Sequence, residues 1–177
     1  CEPWLTADHR LMVERPAEII QGLLLIMKAL GCERGAVGIE ANKPDAVKAM
    51  KDAVPSGAPV TMHALEVKYP QGAEKQLIDA ILKRQVPAGG LPMDVGVVVQ
   101  NVGTSLAVKQ ACLEGRPLIS RVLTVTGRAL GKPSNFHARI GTLVSRLVEE
   151  AGGIEGDVTK VISGGPMMGI AQFTTDI

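Results

Sequence analysis

Between Ile19 and Leu30 the apolar residues cover most of a helical circumference, which predicts a helix buried on more than one side. Pro16 suits its first turn and Glu18 the positive end of its dipole, while Gly31 or Gly35 would end it. Residues 1–15 scatter single apolar positions among Glu2, Pro3, Asp8, His9, Arg10 and Glu14, and are expected to be an irregular lead into that helix. A short strand is predicted over 35–40. A helix opened by Lys43-Pro44-Asp45 follows, with Val47, Met50 and Val54 on its inner face. Residues 60–67 are the next expected strand, and 73–84 a helix with Leu77, Ile78, Ile81 and Leu82 on one face. Pro87, Gly89, Gly90 and Pro92 mark a rigid loop over 86–94. The Val-rich run 95–100 predicts a third strand covered on both faces, with a helix over about 102–114 behind it.

Strands alternating with helices imply right-handed crossovers and a parallel sheet, a Rossmann-like α/β domain over residues 1–116. Ligands of such sheets sit beyond the carboxyl ends of the strands, where the loops 69–74 and 100–104 lie. After Gly115 the pattern changes. Residues 118–126 alternate, Thr126-Gly127 marks a turn, and Gly141-Thr142 opens a short helix carrying Leu143, Val144, Leu147 and Val148, which Gly152-Gly153 closes. A strand over 158–162 runs into Gly164-Gly165-Pro166-Met167-Met168-Gly169. Residues 117–177 therefore form a small α+β module, near the lower size limit for a self-sufficient core.

Composition narrows the functions. The 19 basic and 18 acidic residues lack a long run of one sign, and the chain has only four aromatics, Trp4, Tyr69, Phe136 and Phe173; both argue against a nucleic-acid partner. Cys1, Cys32 and Cys112 are far apart and lack the spacing of a zinc or iron-sulfur site, which points to reduced thiols, one bridge remaining an alternative. No apolar run reaches the roughly 20 residues of a spanning helix, and no leader pattern is present. The start at Cys1 and the stop at Ile177 are those expected of a piece of a larger protein.

The chemical candidates are loops rather than acid–base constellations. Tyr69-Pro70-Gln71-Gly72 leads into a helix, so Gly72 would let backbone N–H groups approach a phosphate and Tyr69 would offer a ring to stack on; a capped surface turn explains the same residues. Glu74 in the first helical turn is favoured by the dipole whatever its function. Asn101 and Thr104 suit a ribityl hydroxyl or a phosphate, and equally a helix cap. Gly89-Gly90 and Gly164-Gly165 fit no phosphate-loop motif and are expected to be turns. His9, His63 and His137 share no ligand spacing, and His63 lies in a strand pattern as a structural histidine.

Five runs together carry a resemblance: residues 2–12 (Glu2-Pro3-Trp4-Leu5-Thr6-Ala7-Asp8-His9-Arg10-Leu11-Met12), 69–74 (Tyr69 to Glu74), 89–92 (Gly89-Gly90-Leu91-Pro92), 98–104 (Val98-Val99-Gln100-Asn101-Val102-Gly103-Thr104) and 164–169. In this order they resemble the family of C subunits of the Rnf electron-transport complexes. The first part is similar to the FMN- and NADH-binding subunit of respiratory complex I, and the part after Gly115 to the soluble-ligand-binding β-grasp (SLBB) module. The resemblance implies that the α/β domain binds FMN and NADH. Electrons would pass between NAD(H), iron-sulfur clusters and ferredoxin at an ion-translocating complex on the cytoplasmic side of a bacterial inner membrane, with other membrane subunits as partners. By position, Tyr69, Gly72 and Glu74 match the loop beside flavin and nicotinamide, Gln100, Asn101 and Thr104 the segment holding the ribityl phosphate, and Glu2 an acid near the nucleotide. Ala73 departs from the pair of consecutive acids in the complex I relatives. No side chain need act as acid or base, since the flavin carries the hydride chemistry, and no metal ligand is expected.

The resemblance also sets a glycine-rich flavin loop before Cys1 and the cluster-ligating cysteines after Ile177, so this stretch is expected to fold yet bind FMN weakly or not at all. Two other readings share the architecture: a cobalamin-reductase subunit of propanediol utilisation, and a docking scaffold without a cofactor. For the β-grasp module, Arg121, Thr126 and Asn135 offer a generic polar surface that suits a protein partner.

Overall fold

The computed structural model describes residues 1–176. They form two units: Cys1 with His9–Pro117, and Glu2–Asp8 with the chain from Leu118 onward.

In the first unit β1 (Gly35–Glu40) and β2 (Val60–Leu65) pair in parallel, Gly35 opposite Val60 and Glu40 opposite Leu65. Their crossover is α3 (Pro44–Asp52), whose Ala46 and Met50 are fully buried. Two strand glycines admit helices on both faces. A Cβ on Gly35 would lie 2.7 Å from the Met27 sulfur of α2 (Pro16–Leu30). One on Gly38, an odd number of residues on and so facing the other way, would lie 2.7 Å from a Leu77 methyl of α4 (Glu74–Leu82).

Helix α2 is buried on several sides, as its pattern predicts, because α5 (Val102–Glu114), α3 and β1 all pack on it. Gly22 makes the α5 crossing possible: a Cβ there would stand 1.8 Å from the Ser105 carbonyl oxygen. Gly31 ends α2 in the left-handed conformation (φ 66°), with the Cys32 N–H donating to Met27 O at 2.9 Å.

Two expectations fail in this unit. Residues 1–15 are not all irregular, for Ala7–Glu14 is a helix, α1, whose buried Leu11 and Met12 supply an apolar side too short to show as a period. Residues 95–100 are not a strand. Pro92–Val95 is a 3₁₀ turn held by the Leu91 N–H on Asp94 Oδ2 (2.9 Å) and stopped at Gly96 (φ 68°). The following 97–100 has no ladder partner among the described residues, and Val98 is 47% exposed, so the valines are not covered on both faces. A valine run makes a strand only where a neighbour takes its N–H and C=O groups.

In the second unit β3 (Ser120–Val125) and β4 (Ser134–Arg139) pair antiparallel, Thr124 opposite Asn135. The short helix, α6 (Val144–Glu150), begins after Leu143 and buries Leu147 and the following Ala151. Its end is stitched to the β3–β4 connection by Lys132 N–H to Ala151 O and Glu155 N–H to Ala129 O, both 2.7 Å. β5 (Val161–Ser163) falls at the end of the predicted strand and pairs antiparallel with β6 (Ile170–Gln172), three residues too short to be seen in the pattern. Among the described residues no helix is long and apolar enough to cross a membrane.

Candidate functional site

The carboxyl ends of β1 and β2 gather the first loop. Glu40 closes β1 and accepts from Lys43 Nζ at 2.6 Å. After β2 the chain turns twice, Gln71 N–H to Lys68 O at 2.9 Å and Ala73 N–H to Pro70 O at 2.8 Å, with a cis Tyr69–Pro70 bond. Tyr69 is 40% exposed, Gly72 and Glu74 are exposed, and Gln71 between them is buried. Cys1 packs between the end of β1 and the turn before α4. Its Sγ lies 3.2 Å from where a Gly72 Cβ would be, and its backbone nitrogen 3.8 Å from the Glu40 carboxylate. Packing against Cys1 is thus a reason for glycine at position 72 that is independent of any ligand.

Helix α4 then starts without a side-chain cap, because its N-cap is Ala73, in extended conformation (φ −67°, ψ 138°). An acid here would accept from the first-turn N–H groups; alanine leaves that turn with its dipole and with donors that need an outside acceptor. Glu74, in that first turn, offsets part of the positive potential.

The second loop is built differently. Asn101 is the N-cap of α5, its Oδ1 accepting the Gly103 N–H at 2.8 Å, while the Thr104 and Ser105 N–H groups reach the Asn101 carbonyl at 3.0 Å. Toward a ligand the Asn101 side chain would act through its NH₂ group, as a donor. Gln100 is exposed and Thr104 half-buried. Ser105 sits against Gly22, so the start of α5 is registered to α2.

Behind this loop an ion network ties the two helices together. Arg15 bonds Glu18 through Nε and Nη2 (2.6 and 2.7 Å), and Lys109 reaches Glu18 at 2.9 Å and also Glu114. The Arg15 hydrogen bonds lead in lowering the Glu18 pKa from 4.5 to about 2. The histidines have structural partners: His9 the Asp45 carboxylate at 2.9 Å, His63 the Thr61 hydroxyl at 2.9 Å, His137 the Ser120 hydroxyl at 2.7 Å. Asp45 is lowered in pKa mainly by the His9 hydrogen bond, with a second from the Ala46 N–H.

Each loop by itself offers groups suited to a phosphorylated polyol such as FMN: the first an uncapped helix start after an exposed glycine and an exposed aromatic ring, the second a capping amide and a hydroxyl on α5. Glu2 belongs to the second unit, where its Oε2 accepts the Met167 N–H at 2.7 Å. Cys1 and Gln71 escape the sequence pattern, since only the folded chain shows which residues a turn buries. A glutamine between Pro70 and Gly72 is the signal for Gln71.

The chain spans well under half the length of the relatives it matches. It is 48% identical, over all 177 residues, to 40% of the C subunit of the Na+-translocating ferredoxin:NAD+ oxidoreductase complex of Acetobacterium woodii. It is 51% identical over the same span to 38% of the C subunit of the proton-translocating ferredoxin:NAD+ oxidoreductase complex of Clostridium ljungdahlii. The C subunit of the ion-translocating oxidoreductase complex of Erwinia tasmaniensis matches at 44%, with 22% of its length covered. The crystal structure of an NAD+-reducing NiFe hydrogenase in the H2-reduced state superimposes with a TM-score of 0.75 at 19% identity, over 93% of this chain and 33% of that one, which shows a shared fold. An SLBB domain profile matches residues 122–171. The profile of the Nuo51 FMN-binding domain matches residues 1–110, more than half of the chain, and the protein belongs to that family.

Proposed function

We propose that this chain is the FMN- and NAD(H)-binding core, with its β-grasp module, of the C subunit of an ion-translocating ferredoxin:NAD oxidoreductase on the cytoplasmic side of a bacterial membrane. The observation that carries the reading is likeness over the whole chain to such subunits, at 48% and 51% identity. The functional division follows the predicted one, residues 1–116 for the nucleotides and 117–177 for the β-grasp module. The uncapped start of α4 and the Asn101 cap of α5 supply the donors the reading needs. Tyr69, Gly72 and Glu74 face flavin and nicotinamide, while Gln100, Asn101 and Thr104 hold the ribityl phosphate. Bound flavin would exchange a hydride with NAD(H) and single electrons with iron-sulfur carriers. The chain's own contribution is positioning: backbone N–H groups and the Asn101 amide fix the phosphate, and Glu74 sets the charge met by the nicotinamide. With one acid fewer at Ala73, nicotinamide meets less negative charge than in relatives with two. Clusters, ferredoxin docking and the ion path belong to other parts of the protein or to other subunits.

FMN titration followed by flavin fluorescence tests this. These 177 residues are expected to bind weakly or not at all, and a chain extended upstream in the same protein to bind at submicromolar Kd. Such a site is worth about 8 kcal/mol; it would not survive losing three charge-assisted hydrogen bonds of about 1.5–3 kcal/mol each. In the full-length protein Asn101→Ala should lower flavin content. If neither chain binds, and Asn101→Ala impairs assembly with flavin content unchanged, the docking-scaffold reading replaces this one.

A further inference from the structure

The turn between β2 and α4 holds a side chain that the nucleotide reading leaves without a task. Gln71 is 6% exposed, although Pro70 before it and Gly72 after it are both open to solvent. Its backbone is accounted for: the Gln71 N–H donates to Lys68 O at 2.9 Å, and the Ala73 N–H reaches across it to Pro70 O at 2.8 Å. Its side chain is not. Among the described residues no group hydrogen-bonds the Gln71 amide. Glutamine is seldom buried, and an amide taken out of water without a partner is unfavourable. No side-chain nitrogen or oxygen among the described residues is both sealed from solvent and unpaired, so the small part of Gln71 that stays open includes its amide oxygen and nitrogen. The stem is packed and the head is presented.

Other amides of this fold have found their partners within it. Asn101 Oδ1 caps α5 through the Gly103 N–H, and Asn135 Oδ1 accepts the Thr124 and Thr6 hydroxyls at 2.8 and 3.0 Å. Asn135 is thus a structural acceptor rather than generic polar surface. Gln71 instead offers an uncharged C=O acceptor beside N–H donors, held by a stem with little freedom left to lose on binding. A phosphate would use only the donors. The edge that uses both halves is another amide, a C=O with an N–H next to it.

We propose that Gln71 is a specificity-determining residue of the nucleotide site, its Oε1 accepting an N–H and its Nε2 donating to the neighbouring C=O of an uncharged amide edge of the ligand. The inference rests on the reading of residues 69–74 as the loop beside flavin and nicotinamide. Both carry such an edge, the flavin on its pyrimidine ring and the nicotinamide in its carboxamide. Glu74 then sets the charge that the ligand meets, and Gln71 reads its hydrogen-bonding pattern without adding charge.

Binding to the full-length protein tests this, with two pairs of ligands in which one member lacks the N–H. FMN is compared with FMN methylated at N3 in the flavin-free protein, and NAD+ with its acetylpyridine analogue in the FMN-loaded protein. The wild type should prefer the N–H-bearing member of one pair about tenfold, as expected where the other member leaves a buried acceptor unpaired. A preference within the first pair assigns the edge to the flavin, and within the second to the nicotinamide. Gln71→Met, close in shape and without an amide, should bring that preference to within about twofold, and Gln71→Leu should do the same. The preference is a ratio of two Kd values on one protein, so a general loosening of the turn does not imitate its loss. A wild type with neither preference overturns the inference, and so does a preference that survives in both variants. A wild type that binds neither FMN nor NAD+ is a different result, which removes the nucleotide reading and this inference with it.

Discussion

At the residue scale, Glu18 shows how a local charge becomes a stability term. Its carboxylate is held by Arg15 and Lys109, and its pKa falls from 4.5 to about 2 on folding. Because the folded value is the lower one, the gain is complete above the unfolded pKa and disappears as pH falls from about 4.5 through about 2. The side chain is 27% exposed, so solvent screening limits the gain to roughly 1 kcal/mol. Glu18→Gln should therefore lower Tm at pH 7, and thermal melts of the two proteins should converge near pH 2. Placing Glu18 in the first turn of a helix needs only Pro16 and the apolar run after it. Its link to Lys109 needs α5 to arrive, 91 residues on. The candidate site divides the same way. Gly72 is legible as a loop residue, Glu74 as a first-turn acid and Asn101 as a cap, whereas Thr104 lies inside α5 rather than capping it, and the packing of Cys1 against Gly72 and the burial of Gln71 leave no local sign.

At the element scale, the α2–α5 pair decides the first unit's core. Alanine in a helix interior ordinarily gains up to about 1 kcal/mol over glycine. At Gly22 the sign reverses, because the new Cβ would sit 1.8 Å from a backbone carbonyl that cannot swing aside as a side chain can. Gly22→Ala should cost about 3 kcal/mol or more, measured by urea denaturation of the full-length protein; a stabilised variant would show that the helices do not cross there. At Gly35 and Gly38 the demand is weaker, since a Cβ there would meet the side-chain ends of Met27 and Leu77, which can shift as a carbonyl cannot. Helices α2, α3 and α5 and strand β1 are legible as periods with caps, since those signals lie within a few residues of each other. α1, β4 and β6 are not, being short elements whose apolar sides are completed by distant neighbours.

At the scale of the whole molecule, chain order and packing disagree over Glu2–Asp8, which lie in sequence between Cys1 and His9 of the first unit and belong to the second in space. Deleting residues 2–8 should strip the Thr124 hydroxyl and the Asn135 carbonyl of the donors that reach them from Thr6 and Ala7. Faster amide exchange across β3 and β4 in the full-length protein is the expected readout, and unchanged protection there would show the segment to be passive. Local signals along the chain suffice for the α/β domain, the change of pattern after Gly115 and the loops that carry the candidate site, because periodicity, caps and glycine turns involve residues close in sequence. Folding alone settles that the valines of 97–100 stay without a ladder, that Gly22 lies against the Ser105 carbonyl, and that Glu2 lies against Met167. Each of these depends on a group far away in sequence, and a hydrogen bond or steric limit exists only once folding has brought its second partner into place.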